Sequence, residues 1–266
     1  MTNGGRKQAT LVDPRAAVSP GAQLDSGVEV GPFAVIGDQV RIGAGTRIGP
    51  HVVLDGRTTI GENNRIFQFA SVGAPPQDLK YRGEESELII GDDNVIRECV
   101  TIHKGTEGDN MVTRIGSGNL IMAYCHVAHD CVIGDRVILA NGATIAGHVT
   151  MEDNSFLAGY AGVHQFCRVG TMAFVAAGSI VVMDVPPYTT AQGDRARLVG
   201  LNLEGLKRKQ FTPGEISALK KAYRILFRSG LVMDEAIDKV RQEVENTDHV
   251  RHLLGFMDGS QRGFTR

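Results

Sequence analysis

Aliphatic residues recur at every sixth position over most of this chain, and few architectures accommodate such a period. Val12, Val18, Leu24, Val30, Ile36, Ile42, Ile48, Leu54, Ile60, Ile66 and Val72 hold the frame without a break. It resumes in step at Ile90, Ile96 and Ile102 and slips by one residue. It then runs from Ile115 through Ile121, Val127, Ile133, Leu139, Ile145, Met151, Leu157, Val163, Val169 and Val175 to Val181. Neither the 3.6-residue period of a helix nor the alternation of a flat strand produces this spacing. A short strand followed by a corner, three times per turn, does: each turn becomes a triangular coil whose aliphatic residues point inward. Coils stacked at about 4.8 Å, roughly nine of them, make a prism on the order of 40 Å long.

Two further positions of the hexad carry information. The residue after the aliphatic one is often Gly, as at Gly31, Gly37, Gly43, Gly49, Gly61, Gly91, Gly134 and Gly170, which suggests a corner that needs a permissive backbone. The fourth residue after it is usually small (Ala16, Ala22, Ala34, Thr46, Ala70, Ala143, Ser155, Ala161), and Cys125, Cys131 and Cys167 fall on this inward place. They are therefore expected to be packed core thiols rather than ligands or nucleophiles. The frame breaks near 74–89 and 103–114, where loops must leave the prism, and loops on a rigid scaffold tend to carry binding groups. The prism is expected to span 9–190, ending at Pro186-Pro187, with a small α-helical C-terminal domain over 191–266. In the latter, Thr212-Pro-Gly-Glu215 reads as a capping box, and Ile216, Leu219, Tyr223, Leu226 and Phe227 as an apolar stripe. Further helices are expected near 233–246 and 248–257.

Net charge bounds the partners. At −2, the chain carries no overall bias towards nucleic acid or an anionic membrane, so any basic patch must be local. Met1–Gln8 contains no apolar signal region and no run of residues is long and apolar enough to span a bilayer, so no transmembrane segment and a cytoplasmic location are expected.

Five of the eight histidines, His103, His126, His129, His148 and His164, lie in the repeat after the first loop. Counting by coils stacks His129, Gly147 and Gln165 on one corner, with His148 and His164 beside that column and His126 just before it. A prism surface has no structural need for such a stripe. Two chemistries suit it: zinc ligation by neutral imidazoles, or a histidine general base oriented by a carboxylate, which Asp130 could supply. The histidines show no evident three-ligand spacing, so the base is favoured and no metal is expected.

Several motifs between the hexads are more specific. Gln77-Asp-Leu-Lys80-Tyr, Thr101-Ile-His103-Lys-Gly, His126-Val-Ala-His129-Asp-Cys, Ala146-Gly-His148-Val, Val163-His-Gln-Phe166 and Asn202-Leu-Glu-Gly-Leu-Lys207-Arg208 together resemble the UDP-N-acetylglucosamine O-acyltransferase family, from about residue 9 to the C-terminus. The resemblance implies an all-β left-handed parallel β-helix of hexapeptide repeats before the helical domain. It also implies transfer of an (R)-3-hydroxyacyl chain from acyl carrier protein to the 3-hydroxyl of UDP-N-acetylglucosamine, the first step of lipid A biosynthesis. No cofactor is implied beyond the donor's own phosphopantetheine.

The resemblance assigns His129 as general base, Asp130 as its orienting partner and the Gly147 N–H as oxyanion donor. Gln77, Asp78, Lys80, His103, His126, His148, His164 and Gln165 are implied around the sugar and phosphates, and Asn202, Glu204 and Arg208 around the nucleotide and phosphopantetheine arm. Ala177 is implied at the end of the acyl groove, where it would set chain length. Acyl carrier protein is acidic, and Lys207, Arg208, Lys209, Lys220, Lys221 and Arg224, with Arg228, offer it a basic surface. The family's homotrimers place their sites between neighbouring prisms. A different prism acyltransferase using coenzyme A is the runner-up, told apart by its donor; a zinc hydratase would be told apart by metal analysis.

Overall fold

The computed structural model describes residues 9–108 and 111–266; Met1–Gln8, on which the expectation about secretion signals rests, lie outside these residues, as do 109 and 110 in the second loop. Within the prism the typical hexad forms a two-residue strand ending on its aliphatic residue, such as Val35–Ile36 and Arg41–Ile42, with the last side chain buried and the one before it exposed. Strands three hexads apart pair in parallel: Glu29–Val30 lies on Leu11–Val12, and Arg47–Ile48 on Glu29–Val30. Among the described residues the strands form sheets of 11, 9 and 8, the three faces of a left-handed parallel β-helix.

The interior is the aliphatic column itself. Ile36, Leu54, Ile60, Ile66, Ile96, Leu139 and Ile145 are almost wholly buried, each contributing about 1.5–3 kcal/mol relative to exposure. Cys125, Cys131 and Cys167 occupy the small inward place as expected, buried and unpaired. Burial pushes their thiols up to about 11, 12 and 11, so they are not thiolates near neutral pH. Where this place carries Asn, the amide oxygen enters the next coil. Asn64 Oδ1 accepts from the Asn94 N–H and Asn94 Oδ1 from the Asn119 N–H, each at 2.9 Å.

The corners differ from the sequence reading. The left-handed backbone falls two residues after the expected glycine position, and bulky residues adopt it: Phe33 (φ 61°), His51 (56°), Asp130 (58°), His148 (61°) and Tyr160 (59°). The glycines answer instead to the closeness of stacked coils. A Cβ on Gly43 would sit 2.6 Å from the carbonyl carbon of Gly61, and one on Gly49 2.9 Å from the Ile66 carbonyl oxygen. Composition reveals the glycines but not which of their two properties is used.

The loops explain the frame. The first leaves after Ser71–Ala74 and returns at Glu87–Ile90, inserting two hexads, so Arg65 pairs with Val95 and the period resumes in step. The second leaves after Thr101–His103 and returns at Val112–Ile115, inserting one hexad and one residue, so Val95 pairs with Leu120 and the frame slips.

Between the last hexad and the first helix lies a hairpin. Thr189–Gln192 and Arg197–Leu201 form an antiparallel hairpin that extends the first sheet beyond Phe174–Val175, as the β-branched Thr189, Thr190 and Val199 allow. Four helices follow: α1 (Leu203–Arg208), α2 (Pro213–Arg228), α3 (Met233–Glu243) and α4 (Asp248–Asp258). The Thr212–Glu215 capping box is made in both directions at the start of α2. Leu219 and Leu226 pack within the helical cluster, while Tyr223 and Phe227 reach the β-helix core. Among the described residues no helix is long and apolar enough to cross a membrane.

Candidate active site

The second face of the prism brings the histidines together. Thr101 pairs with His126, His126 with Thr144, Thr144 with Gly162, and Gly162 with Ile180, so an outward row of polar and small residues ends on an apolar one. Around it lies an open cavity of about 440 Å3, lined among others by Gln77, His103, His126, His129, Gly147 and His164. A larger one of about 750 Å3 lies on the first face near the N-terminal coils, lined by residues such as Leu11, Glu29, Arg47, Arg65 and Phe67; no histidine, cysteine, serine or threonine lines it.

At the corner after His126–Val127, His129 Nδ1 stands 2.8 Å from Asp130 Oδ2. A carboxylate only accepts, so Nδ1 carries the proton and Nε2 is left able to accept one. Asp130 is buried and held from the second loop: its carboxylate also accepts from the Thr106 N–H at 3.0 Å and from Thr106 Oγ1 at 2.6 Å. Burial alone would push this carboxyl up, but the hydrogen bonds from His129 and Thr106, with His148 nearby, outweigh it and hold its pKa below the usual value. Asp130 therefore remains an anion beside the imidazole. Gly105 is required here, since a Cβ would meet the Val112 nitrogen at 2.3 Å and Asp130 Oδ1 at 2.7 Å.

Gly147 lies one coil above, as the register anticipated. A Cβ there would be 2.6 Å from His129 Cε1 and 2.7 Å from Nε2, so only glycine leaves the ring where it is. Behind the dyad, His148 meets His129 edge to face at 5.1 Å, stacks on Phe166 at 4.5 Å, and places Nε2 3.9 Å from Asp130 Oδ2. It supports the dyad and is not among the residues lining the cavity. His126 is fixed through Nδ1 to Thr101 Oγ1 at 2.7 Å. Burial and the neighbouring imidazoles bring His103 down to about 4 and lower His126 as well, so both present neutral rings.

His129, Asp130 and His148 offer one ligand atom each within 4.8 Å of one another. A metal there would compete with hydrogen bonds already made: Nδ1 of His129 is turned to Asp130, whose carboxylate already serves Thr106. The donor set is that of an oriented base rather than an open ligand triad.

Other sequence candidates lie elsewhere. Asp78 caps its own loop, accepting from the Lys80 N–H at 2.9 Å, and Lys80 is exposed beside the fully exposed Leu79. Gln165 is exposed at the column's top, and Ala177 is exposed outside the residues lining the cavity. Asn202 caps α1, accepting from the Gly205 N–H and donating to the Met172 carbonyl. Glu204 pairs with Lys207 at 3.3 Å; neither these nor Arg208 line the cavity in their own chain. Lys220, Arg224 and Arg228 surround a smaller hollow with Leu201, Leu203 and Tyr223. Lys221 departs from that group because it turns to α3 and pairs with Glu243. Thr106 was missed from sequence, since nothing in a loop threonine announces that its hydroxyl will meet a carboxylate 24 residues away.

Comparisons with known proteins converge on one family. A family profile described as "Udp N-acetylglucosamine O-acyltransferase; Domain 2" matches residues 184–265, and one described as "Bacterial transferase hexapeptide (six repeats)" matches 21–56 and 113–147. The acyl-[acyl-carrier-protein]–UDP-N-acetylglucosamine O-acyltransferase of Myxococcus xanthus (strain DK1622) is 59% identical over 96% of this chain and 99% of its own length. The enzyme of that name from Janthinobacterium sp. (strain Marseille) is 55% identical over 97% and 100%. The crystal structure of Francisella novicida UDP-N-acetylglucosamine acyltransferase superposes with a TM-score of 0.94 at 42% identity, covering 96% of this chain and 94% of that one.

Proposed function

The chain belongs to the UDP-N-acetylglucosamine O-acyltransferase family, and from that premise we propose that His129 is the general base of its reaction. The protein is an acyltransferase that acylates UDP-N-acetylglucosamine from acyl carrier protein, the first step of lipid A biosynthesis. The observation that carries the proposal is the dyad: Nδ1 of His129 on buried Asp130 at 2.8 Å, with Gly147 packed over the ring at the cavity wall.

The reaction then runs as follows. The sugar 3-hydroxyl attacks the thioester carbonyl of a 3-hydroxyacyl carrier protein while His129 Nε2 takes the hydroxyl proton. Asp130 stabilises the imidazolium so formed. The carbonyl oxygen becomes an oxyanion, met by the Gly147 N–H. The tetrahedral intermediate collapses, the C–S bond breaks, and the imidazolium returns its proton to the phosphopantetheine sulfur, leaving ester and free thiol. Gln77, His103, His126 and His164 hold the sugar and phosphates; the neutral state of His103 and His126 suits them to hydrogen bonding rather than charge pairing.

The active form is a cytoplasmic homotrimer with sites between prisms. In support, the cavity is open along one side, Leu79 projects fully exposed from the first loop, and Asn202, Glu204 and Arg208 lie away from the cavity of their own chain. The acidic carrier protein docks on Lys207, Arg208, Lys209, Lys220 and Arg224. Acyl transfer from a 3-hydroxyacyl carrier protein to UDP-N-acetylglucosamine should be robust, and markedly slower from the matching coenzyme A thioester. Equal rates from both donors would remove the docking surface from the reading and favour a coenzyme A enzyme.

Thr106 should matter to the same reaction. Thr106→Val keeps the shape but deletes the 2.6 Å donor to Asp130. A hydrogen bond to a charged group is worth about 1.5–3 kcal/mol, so kcat should fall by roughly tenfold or more while Thr106→Ser stays near native. A valine variant with native kcat would show that the loop does not tune the dyad.

A further inference from the structure

We infer that Arg262 is a positioning residue of the active site, acting through His164: it fixes that imidazole as the tautomer whose Nε2–H faces substrate. The inference rests on the reading of His164 as a substrate-binding group.

After α4 the chain turns back along the last coil of the prism. Its course is set by Asp184, whose N–H donates to the Gly263 carbonyl and whose carbonyl accepts from the Thr265 N–H, both at 2.9 Å. Its carboxylate accepts from Ser260 Oγ at 2.8 Å and from the Arg168 N–H at 2.8 Å. Arg168 also holds the end of α4, donating to the Phe256 carbonyl at 3.1 Å with its guanidinium over the Phe256 ring. Between these anchors Arg262 extends towards the histidine face. Its Nη2 lies 3.2 Å from His164 Nδ1 and 3.5 Å from the Val182 carbonyl.

His164 Nδ1 has two neighbours that make opposite demands. The Gln165 carbonyl, 3.2 Å away, can only accept and asks for a proton on Nδ1; the guanidinium can only donate and asks for a lone pair. Arginine is always protonated, and its hydrogen bond is charge-assisted. A proton on Nδ1 would also face the guanidinium N–H directly. The lone pair therefore points at Arg262, and the single ring proton sits on Nε2. His164 lines the cavity, so Arg262 makes it a hydrogen-bond donor towards the oxygen atoms of the UDP-sugar. No motif suggested this, because Arg262 is 98 residues from its partner and lies in a short polar tail.

A double-mutant cycle tests the pair. R262A should raise the KM for UDP-N-acetylglucosamine by about tenfold with kcat within about threefold. R262K, which keeps a cationic donor, should recover most of the loss. In an H164A background, R262A should change KM by less than about twofold. Each variant is compared with native protein for thermal midpoint and assembly, and R262M, which keeps the apolar stem and removes every donor, carries the test should R262A prove unstable: its KM rise should likewise vanish once His164 is removed. A KM rise from Arg262 substitution that persists undiminished without His164 overturns the inference alone. Native KM in H164A overturns the reading of His164 and the inference with it.

Discussion

His129→Ala is expected to lower kcat by about 10³-fold, within the 10²–10⁴ range of a general base, while the protein keeps its native thermal midpoint and assembly. The side chain stands at the cavity wall, where its loss opens space rather than breaking the aliphatic column. Three effects coincide. The first is the loss of the imidazole whose Nδ1 is fixed on a buried carboxylate; Nδ1 of His126 meets the Thr101 hydroxyl instead, and His148 sits behind the dyad. The second effect falls on Asp130, which loses one of its donors and becomes a poorly compensated buried anion. Finally, the thiolate leaving group loses its proton source. KM for the UDP-sugar should change far less than kcat, since His103, His126 and His164 remain. Transfer from 3-hydroxyacyl carrier protein, followed under saturating UDP-N-acetylglucosamine, measures the effect directly. A folded alanine variant retaining a tenth of native kcat would move the base elsewhere in the cavity.

The dyad's partners were legible in the sequence because the repeat is a ruler. Once the coil is known, residues three hexads apart must stack, and His129 beneath Gly147 follows by counting. The same ruler placed Cys125, Cys131 and Cys167 inside, and both loops where the frame broke. It measures only what obeys the period. Thr106 lies in an excursion and meets Asp130 through a path the repeat does not describe, and Arg262 arrives from a tail tied down by Asp184. Side-chain direction also escapes it. Lys220 and Lys221 are neighbours in sequence, yet one lines a hollow beside α1 and the other pairs with Glu243. Asn202, whose motif implied a nucleotide contact, spends both ends of its amide on capping α1 and holding Met172. The hairpin at 189–201 continues the first sheet without continuing the hexad period, so the ruler says nothing of it.

Gly147→Ala should be nearly as damaging as removing the base, though it adds one carbon and removes nothing. The new Cβ would begin 2.6 Å from His129 Cε1, 2.7 Å from Nε2 and 3.2 Å from Nδ1, so the whole ring must shift. Withdrawal is resisted on the far side by the 2.8 Å bond to Asp130, itself pinned by Thr106, and by the His148 ring. The ring can move only by leaving Asp130 or by turning Nε2 away from substrate. A displacement on the order of 1 Å at a reacting group costs about 10²-fold, and crowding the oxyanion donor adds to that, so kcat should fall by roughly 10²–10³. Stability should change little, because Gly147 is not one of the residues with a left-handed backbone; a compatible Gly→Ala change acts mainly by restricting the unfolded chain, by about 0.4–1 kcal/mol. Gly200→Ala, where a Cβ would meet nothing within 4 Å, provides the matching control and should leave kcat native. If Gly147→Ala also left kcat native, the ring would be free to yield, and the close fit of coil against imidazole would not be what positions the base. If kcat collapsed with an unchanged midpoint, the stacking of one coil on the next, the property that builds the prism, would also be what aims its catalytic histidine.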